Sequence, residues 1–129
     1  MNLPERNMFI LEADKKLIAD FNNKVKDIHR IHCELLPEPY IGDPNSDIVF
    51  LCLNPGYSEE YIKFHDENND FFGDCKKNLL HSDTDYKFYL LNPNHVNSPG
   101  GKWWRSKLKK LIEIVGLKKI ANSVFCVEF

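Results

Sequence analysis

The stretch that most constrains this chain is Ile48-Val49-Phe50-Leu51-Cys52-Leu53-Asn54-Pro55-Gly56-Tyr57-Ser58, an apolar run that stops abruptly at Asn-Pro-Gly. A continuous apolar run bounded by turn residues predicts a buried strand covered on both faces, as in a parallel sheet flanked by helices. Ligands of such sheets bind beyond the carboxyl ends of the strands. Asn54 therefore stands where an α/β protein would carry a working side chain. Pro55 fixes its own backbone and biases Asn54 towards an extended conformation, and Gly56 lets the main chain pass close to a ligand. The same three residues also suit an ordinary turn, and spacing alone leaves both readings open.

With 129 residues, 43% hydrophobic and 28% charged, the expectation is one globular domain over 1–129. No apolar run approaches the roughly 20 residues that span a bilayer, and Met1 to Asn7 carry no secretory pattern. A cytoplasmic protein without membrane association is expected. Cys33, Cys52, Cys75 and Cys126 form no Cys-x-x-Cys pair, which argues against a metal site or a disulfide framework. His29, His32, His65, His81 and His95 lack the spacing of zinc ligands, so no metal and no cofactor is expected. A net charge of -2 and a pI of 6.2 give no support to strong non-specific nucleic-acid binding. One local basic face is present, Lys102-Trp103-Trp104-Arg105-Ser106-Lys107-Leu108-Lys109-Lys110, which reads first as a solvated helix surface above two core tryptophans.

Along the chain, apolar residues recur at helical spacing from about Asn7 to His32, predicting a long amphipathic helix within an N-terminal segment 1–34. The prolines of Leu35 to Asn45 predict a stiff connection. A strand follows from Ile48 to Leu53, and then a helix start with Ser58 as N-cap. Residues 57–100 read as a loop-rich insertion with one short strand from Tyr86 to Leu91. Trp103 to Val115 follow a helical period ended by Gly116, Leu117 to Asn122 connect, and Val124 to Phe129 read as a second strand. This order predicts a three-layer open parallel sheet flanked by helices, present in part. A polypeptide stopping at Phe129 on an apolar strand predicts an exposed sheet edge. The expectation is a fold lacking its C-terminal part, or one that covers its edge by homo-oligomerisation.

Dinucleotide, P-loop and nucleophile-elbow signatures are absent from the sequence. Cys52-Leu53-Asn54-Pro55-Gly56 resembles the first motif of the uracil-DNA glycosylase superfamily, which reads Gly-Ile-Asn-Pro-Gly in its mismatch-specific branch. Gly101-Lys102-Trp103-Trp104-Arg105 is similar to the Asn-Arg-Phe-Trp element that opens a helix in that branch. The chain departs from the pattern at Cys52, in place of the leading glycine, and in the length of the insertion between the motifs.

The resemblance implies a uracil-DNA glycosylase-like fold and a DNA glycosylase hydrolysing the N-glycosidic bond of a damaged or mispaired pyrimidine flipped out of the duplex. Asn54 would position the attacking water, the Leu53 amide would face a base carbonyl, and Pro55, Gly56 and Tyr57 would border the base. Gly56, where the uracil-specific enzymes carry a tyrosine, would admit larger pyrimidines. Phe64, Phe71 or Phe72 would supply the stacking aromatic, with a core role the alternative for each. Lys102 and Arg105 would contact DNA. A carboxamide cannot take a proton as a carboxylate does, so the chemistry would be slow. The family's second motif would lie beyond Phe129, so the 129-residue chain alone is expected to have little or no activity. The competing readings are a non-catalytic nucleobase-binding or self-associating module, and, last, a small-molecule hydrolase on an unrelated scaffold.

Overall fold

The computed structural model describes residues 9–53 and 56–129. Among these, six α-helices accompany one three-stranded sheet, and the chain divides into two compact units, Met1–Pro37 and Glu38–Phe129.

In the first unit, helix α1 runs over Glu12–Asn22 and a 3-10 turn over Asp27–His29. The helix is shorter than its periodicity predicts, and the Asn22 side chain shows why. Its Nδ2 donates to Ile31 O at 2.9 Å and its Oδ1 accepts from Ile31 N at 2.8 Å. This two-way clasp gives the backbone an alternative to another helical turn.

The second unit opens with strand β1, Tyr40–Gly42, followed by β2, Ile48–Cys52. Helices α2, Glu59–Glu67, and α3, Asn69–Leu79, come next, then 3-10 turns at Tyr89–Leu91 and Pro93–His95. Helices α4, Pro99–Lys107, α5, Lys109–Val115, and α6, Leu117–Ala121, lead into β3, Val124–Glu128. The strand order is β1-β3-β2. β2 and β3 are parallel, from Ile48↔Val124 to Cys52↔Glu128, whereas β1 runs antiparallel to β3. The sheet is therefore mixed, with one parallel pair, rather than all parallel.

Several expectations need correction. β2 is not covered on both faces: Val49, Leu51 and Leu53 are 50%, 70% and 84% exposed. The central place goes to β3, whose Val124 and Cys126 are buried, and β2 becomes an edge on which alternate residues point to opposite faces. Phe50, on the packed face, lies 6.0 Å from the Trp104 ring. The proline-rich connection contains β1, because three residues between Pro39 and Pro44 fit at a sheet edge. Gly42 there has a φ of 101°, and a Cβ would stand 2.5 Å from Val124 O. Residues 57–100, expected to be loop-rich after a helix start at Ser58, hold α2 and α3 and begin α4. No strand forms at Tyr86 to Leu91, where Phe88 N donates to Ala121 O and Lys87 N to Asn122 Oδ1. Those bonds fasten the segment to the end of α6, and Phe88 to Leu91 are all buried.

The core of this unit gathers Ile41, Phe71, Phe72, Phe88, Leu90, Leu91, Trp104, Val124 and Cys126. Phe71 is its centre, in ring contact with Tyr61, Phe64, His65, Tyr89 and His95. No helix among the described residues is long and apolar enough to cross a membrane.

Candidate functional site

Parallel pairing puts the carboxyl ends of β2 and β3 at one end of the sheet, with Phe129 N donating to Cys52 O at 3.0 Å beyond the last ladder pair. A cavity of about 570 Å³ opens there, within the size range of small-molecule sites. Leu53, Gly56 and Tyr57 border it after β2, Ser58 and Tyr61 from α2, and Pro99, Gly100, Trp103 and Trp104 from α4. Glu38, Cys52, Leu90 and Glu128 complete the described lining.

Both helices present their N-termini. Ser58 Oγ accepts from Tyr61 N at 3.1 Å and Ser98 Oγ accepts from Gly101 N at 2.9 Å, with Pro99 in the first turn of α4. A helix N-terminus carries positive partial charge, so two such ends favour negative charge on a ligand. Gly101 fixes the approach of α4, since a Cβ would stand 2.4 Å from His95 O and 2.7 Å from Ser98 Oγ. Trp103 and Trp104 meet edge to face at 4.9 Å. Trp104 is buried against Phe88, while Trp103 remains 49% exposed at the cavity, and Lys107 Nζ lies 5.4 Å from the Trp103 ring centre.

The polar wall consists of carboxyls and phenols. Glu128 N donates to Pro39 O at 3.0 Å, which brings Glu38 beside the end of β3. The Tyr89 hydroxyl donates to Glu38 Oε2, and the Tyr61 and Tyr89 hydroxyls are 3.5 Å apart. Burial pushes the Glu38 carboxyl from 4.5 up to about 7, against the opposing hydrogen bond from Tyr89 and with added repulsion from Glu128. Burial also raises Glu128 and pushes both Tyr61 and Tyr89 well above the usual phenol range. Removal of the charged form from water explains the common direction.

The sequence-predicted residues fall into four groups. Asn54 and Pro55 lie outside the described residues. Leu53, Gly56 and Tyr57 border the cavity. Phe64, Phe71 and Phe72 do not line it: Phe71 and Phe72 are core residues, and Phe64 packs edge-on against Phe71 at 5.0 Å. The helical period of α3 turns its apolar stripe of Phe71, Phe72 and Cys75 inward. Aromatic surface at the cavity comes instead from Tyr57, Tyr61, Trp103 and Trp104. Lys102 is exposed on α4, whereas Arg105 commits one guanidinium nitrogen to Leu91 O at 3.1 Å.

Glu38, Glu128 and Trp103 were missed as site residues. A charge ending the apolar run Val124-Phe125-Cys126-Val127 was a signal for Glu128. Adjacent tryptophans were one for Trp103, because neighbouring helix positions do not share a face. Glu38, between two prolines, offered none. No group of three or more His, Cys, Asp or Glu residues among the described residues is arranged to hold a metal ion. No family model, no curated protein and no solved structure matches the chain significantly.

Proposed function

We propose that the cavity is a nucleobase pocket and that the chain is a DNA glycosylase-like protein directed at a damaged or mispaired pyrimidine. One observation carries the reading. The two stretches that resemble the uracil-DNA glycosylase superfamily border the same cavity, Leu53 and Gly56 from one and Trp103 and Trp104 from the other. Aromatic walls suit a flat ring. The N-termini of α2 and α4 favour the negative charge that develops on a departing base as its glycosidic bond lengthens. Asn54 is assigned the attacking water, by resemblance, and Lys102 the DNA backbone. A carboxamide in that role makes for slow hydrolysis.

The test is binding, by fluorescence anisotropy, and base release, by alkaline strand cleavage, with duplexes carrying uracil or thymine opposite guanine. Mispaired duplexes are expected to bind about tenfold or more tighter than matched ones. Trp103→Ala should weaken that preference, and Asn54→Ala should abolish any base release while sparing binding. Equal binding of matched and mispaired duplexes, unchanged by Trp103→Ala, overturns the proposal.

The exposed apolar edge of β2 supports a second reading, a self-associating, non-catalytic nucleobase-binding module. Binding without release, together with concentration-dependent association abolished by Leu51→Lys, would favour it.

A further inference from the structure

Glu38 stands where an ionised carboxyl is out of place. It borders the cavity and is part-buried, and the bond from Glu128 N to Pro39 O sets a second carboxyl beside it. The described lining holds no lysine or arginine to offset either charge. Much of the surrounding wall is aromatic, from Tyr57, Tyr61, Trp103 and Trp104, so a carboxylate there gives up hydration that no cation restores. The Tyr89 hydroxyl donates to Glu38 Oε2, which leaves Oε1 to carry the proton of the neutral form. A departing base gathers negative charge on its carbonyl oxygens, which a carboxylate repels and a neutral carboxyl can hydrogen-bond.

We infer that Glu38, in its neutral form, is the hydrogen-bond donor for a carbonyl oxygen of the bound pyrimidine, and that Tyr89 is its positioning residue. The inference rests on the nucleobase reading and says how that pocket recognises uracil and thymine, both of which present carbonyl oxygens. A carboxylic acid kept neutral by an apolar site serves as a donor of this kind. Tyr89 is buried, and its hydroxyl fixes which carboxyl oxygen is engaged and which is left for the ligand.

The titratable groups around Glu38 are Tyr61 of α2, Cys75 of α3, Tyr89, Cys126 and Glu128 of β3, and Cys52 of β2 beside Cys126, none of them cationic. His95, whose ring lies 6.4 Å from that of Tyr89, is committed to Asp74 through Nε2. Burial pushes Glu38 up to about 7, opposed by the Tyr89 hydrogen bond and aided by Glu128. The donor is therefore present below that pH and lost above it.

The test is calorimetric titration of the full 129-residue chain with 2′-deoxyuridine at about pH 6 and about pH 8, either side of the Glu38 titration. The neutral fraction falls about tenfold over that interval, and the affinity is expected to fall with it. Glu38→Gln keeps an N–H donor for the carbonyl and an acceptor for Tyr89 but cannot ionise, so its affinity should be the same at both pH values. Tyr89→Phe removes a hydrogen bond that favours the ionised form, so the midpoint of the affinity change should move to higher pH. Equal or tighter binding by the native chain at the higher pH overturns the inference and leaves the nucleobase reading standing. So does a pH dependence that persists in Glu38→Gln, or loss of binding by that variant when its melting curve shows it folded. An unmoved midpoint in Tyr89→Phe overturns the role of Tyr89. Absence of binding at either pH overturns the nucleobase reading along with the inference.

Discussion

Glu38 and Glu128 stand at a cavity wall with phenols and a thiol for neighbours, whereas Asp43 and Asp74, in the same unit, each meet a basic side chain. Asp43 Oδ2 lies 2.8 Å from Lys87 Nζ. Asp74 lies 2.7 Å from His95 Nε2 and 3.2 Å from Lys77 Nζ. The consequences run in opposite directions: burial raises Glu38 and Glu128, while the Lys87 hydrogen bond lowers Asp43. Paired carboxylates hold loops and helices together. Unpaired ones oppose folding when ionised.

The largest effect should come from the core ring that touches a neighbour of each group. The Phe71 ring lies 5.6 Å from Tyr89, which donates to Glu38, and 5.0 Å from His95, which meets Asp74, and the residue is fully buried. Phe71→Ala should cost about 3–5 kcal/mol in denaturant unfolding. A loss below about 1 kcal/mol would mean that the two carboxyl groups do not share a packed core.

A smaller effect sharpens the contrast through pH. Glu38 has a folded pKa of about 7, raised from 4.5, so the folded state holds a proton that the unfolded chain releases. Stability from this group is full below about 4.5 and is lost as pH rises through about 7. Glu38→Gln keeps an acceptor for Tyr89 and cannot ionise. Above pH 7 it should be more stable than the native chain by on the order of 1–2 kcal/mol, after a discount for solvent screening, with the difference vanishing at low pH. Melting curves across this window check it, and a pH-independent difference would remove the unpaired-carboxyl account.

Asp43 should give the smallest effect and the opposite sign. Its pKa is lowered from 3.8 by Lys87 and by Asn45, so its contribution is present above that value and fades as pH falls through the folded pKa. Asp43→Asn should lower the melting temperature slightly near neutral pH and less at high salt, where a surface pair is screened. No salt dependence would mean that the Lys87 contact carries no stability.

Local signals announced part of this architecture. Ser58 caps α2, the apolar runs became β2 and β3, and Gly116 ends α5 with a φ of 96°. Each follows from the chemistry of residues close together in the chain. Sheet order did not, because the apolar run of β2 reads alike at the centre or at the edge, and only the placement of β1 beside β3 decides which. Phe71 and Trp103 show the same divide at the site. Aromatics serve a core or a cavity equally well, and helix rotation against the sheet sorts them.

The sequence by itself determined that a strand would begin at Ile48 and that a helix would carry Trp103 and Trp104, since apolar patterning acts over a few residues. Only the tertiary structure decided that β3 takes the centre, that β1 joins it antiparallel, and that the carboxyl ends of the parallel pair open on one cavity. It also decided that Glu38 and Glu128 meet there, through the bond from Glu128 N to Pro39 O. The reason is physical: strand pairing joins segments far apart in the chain, and the burial that raises both carboxyls exists only after those segments have packed.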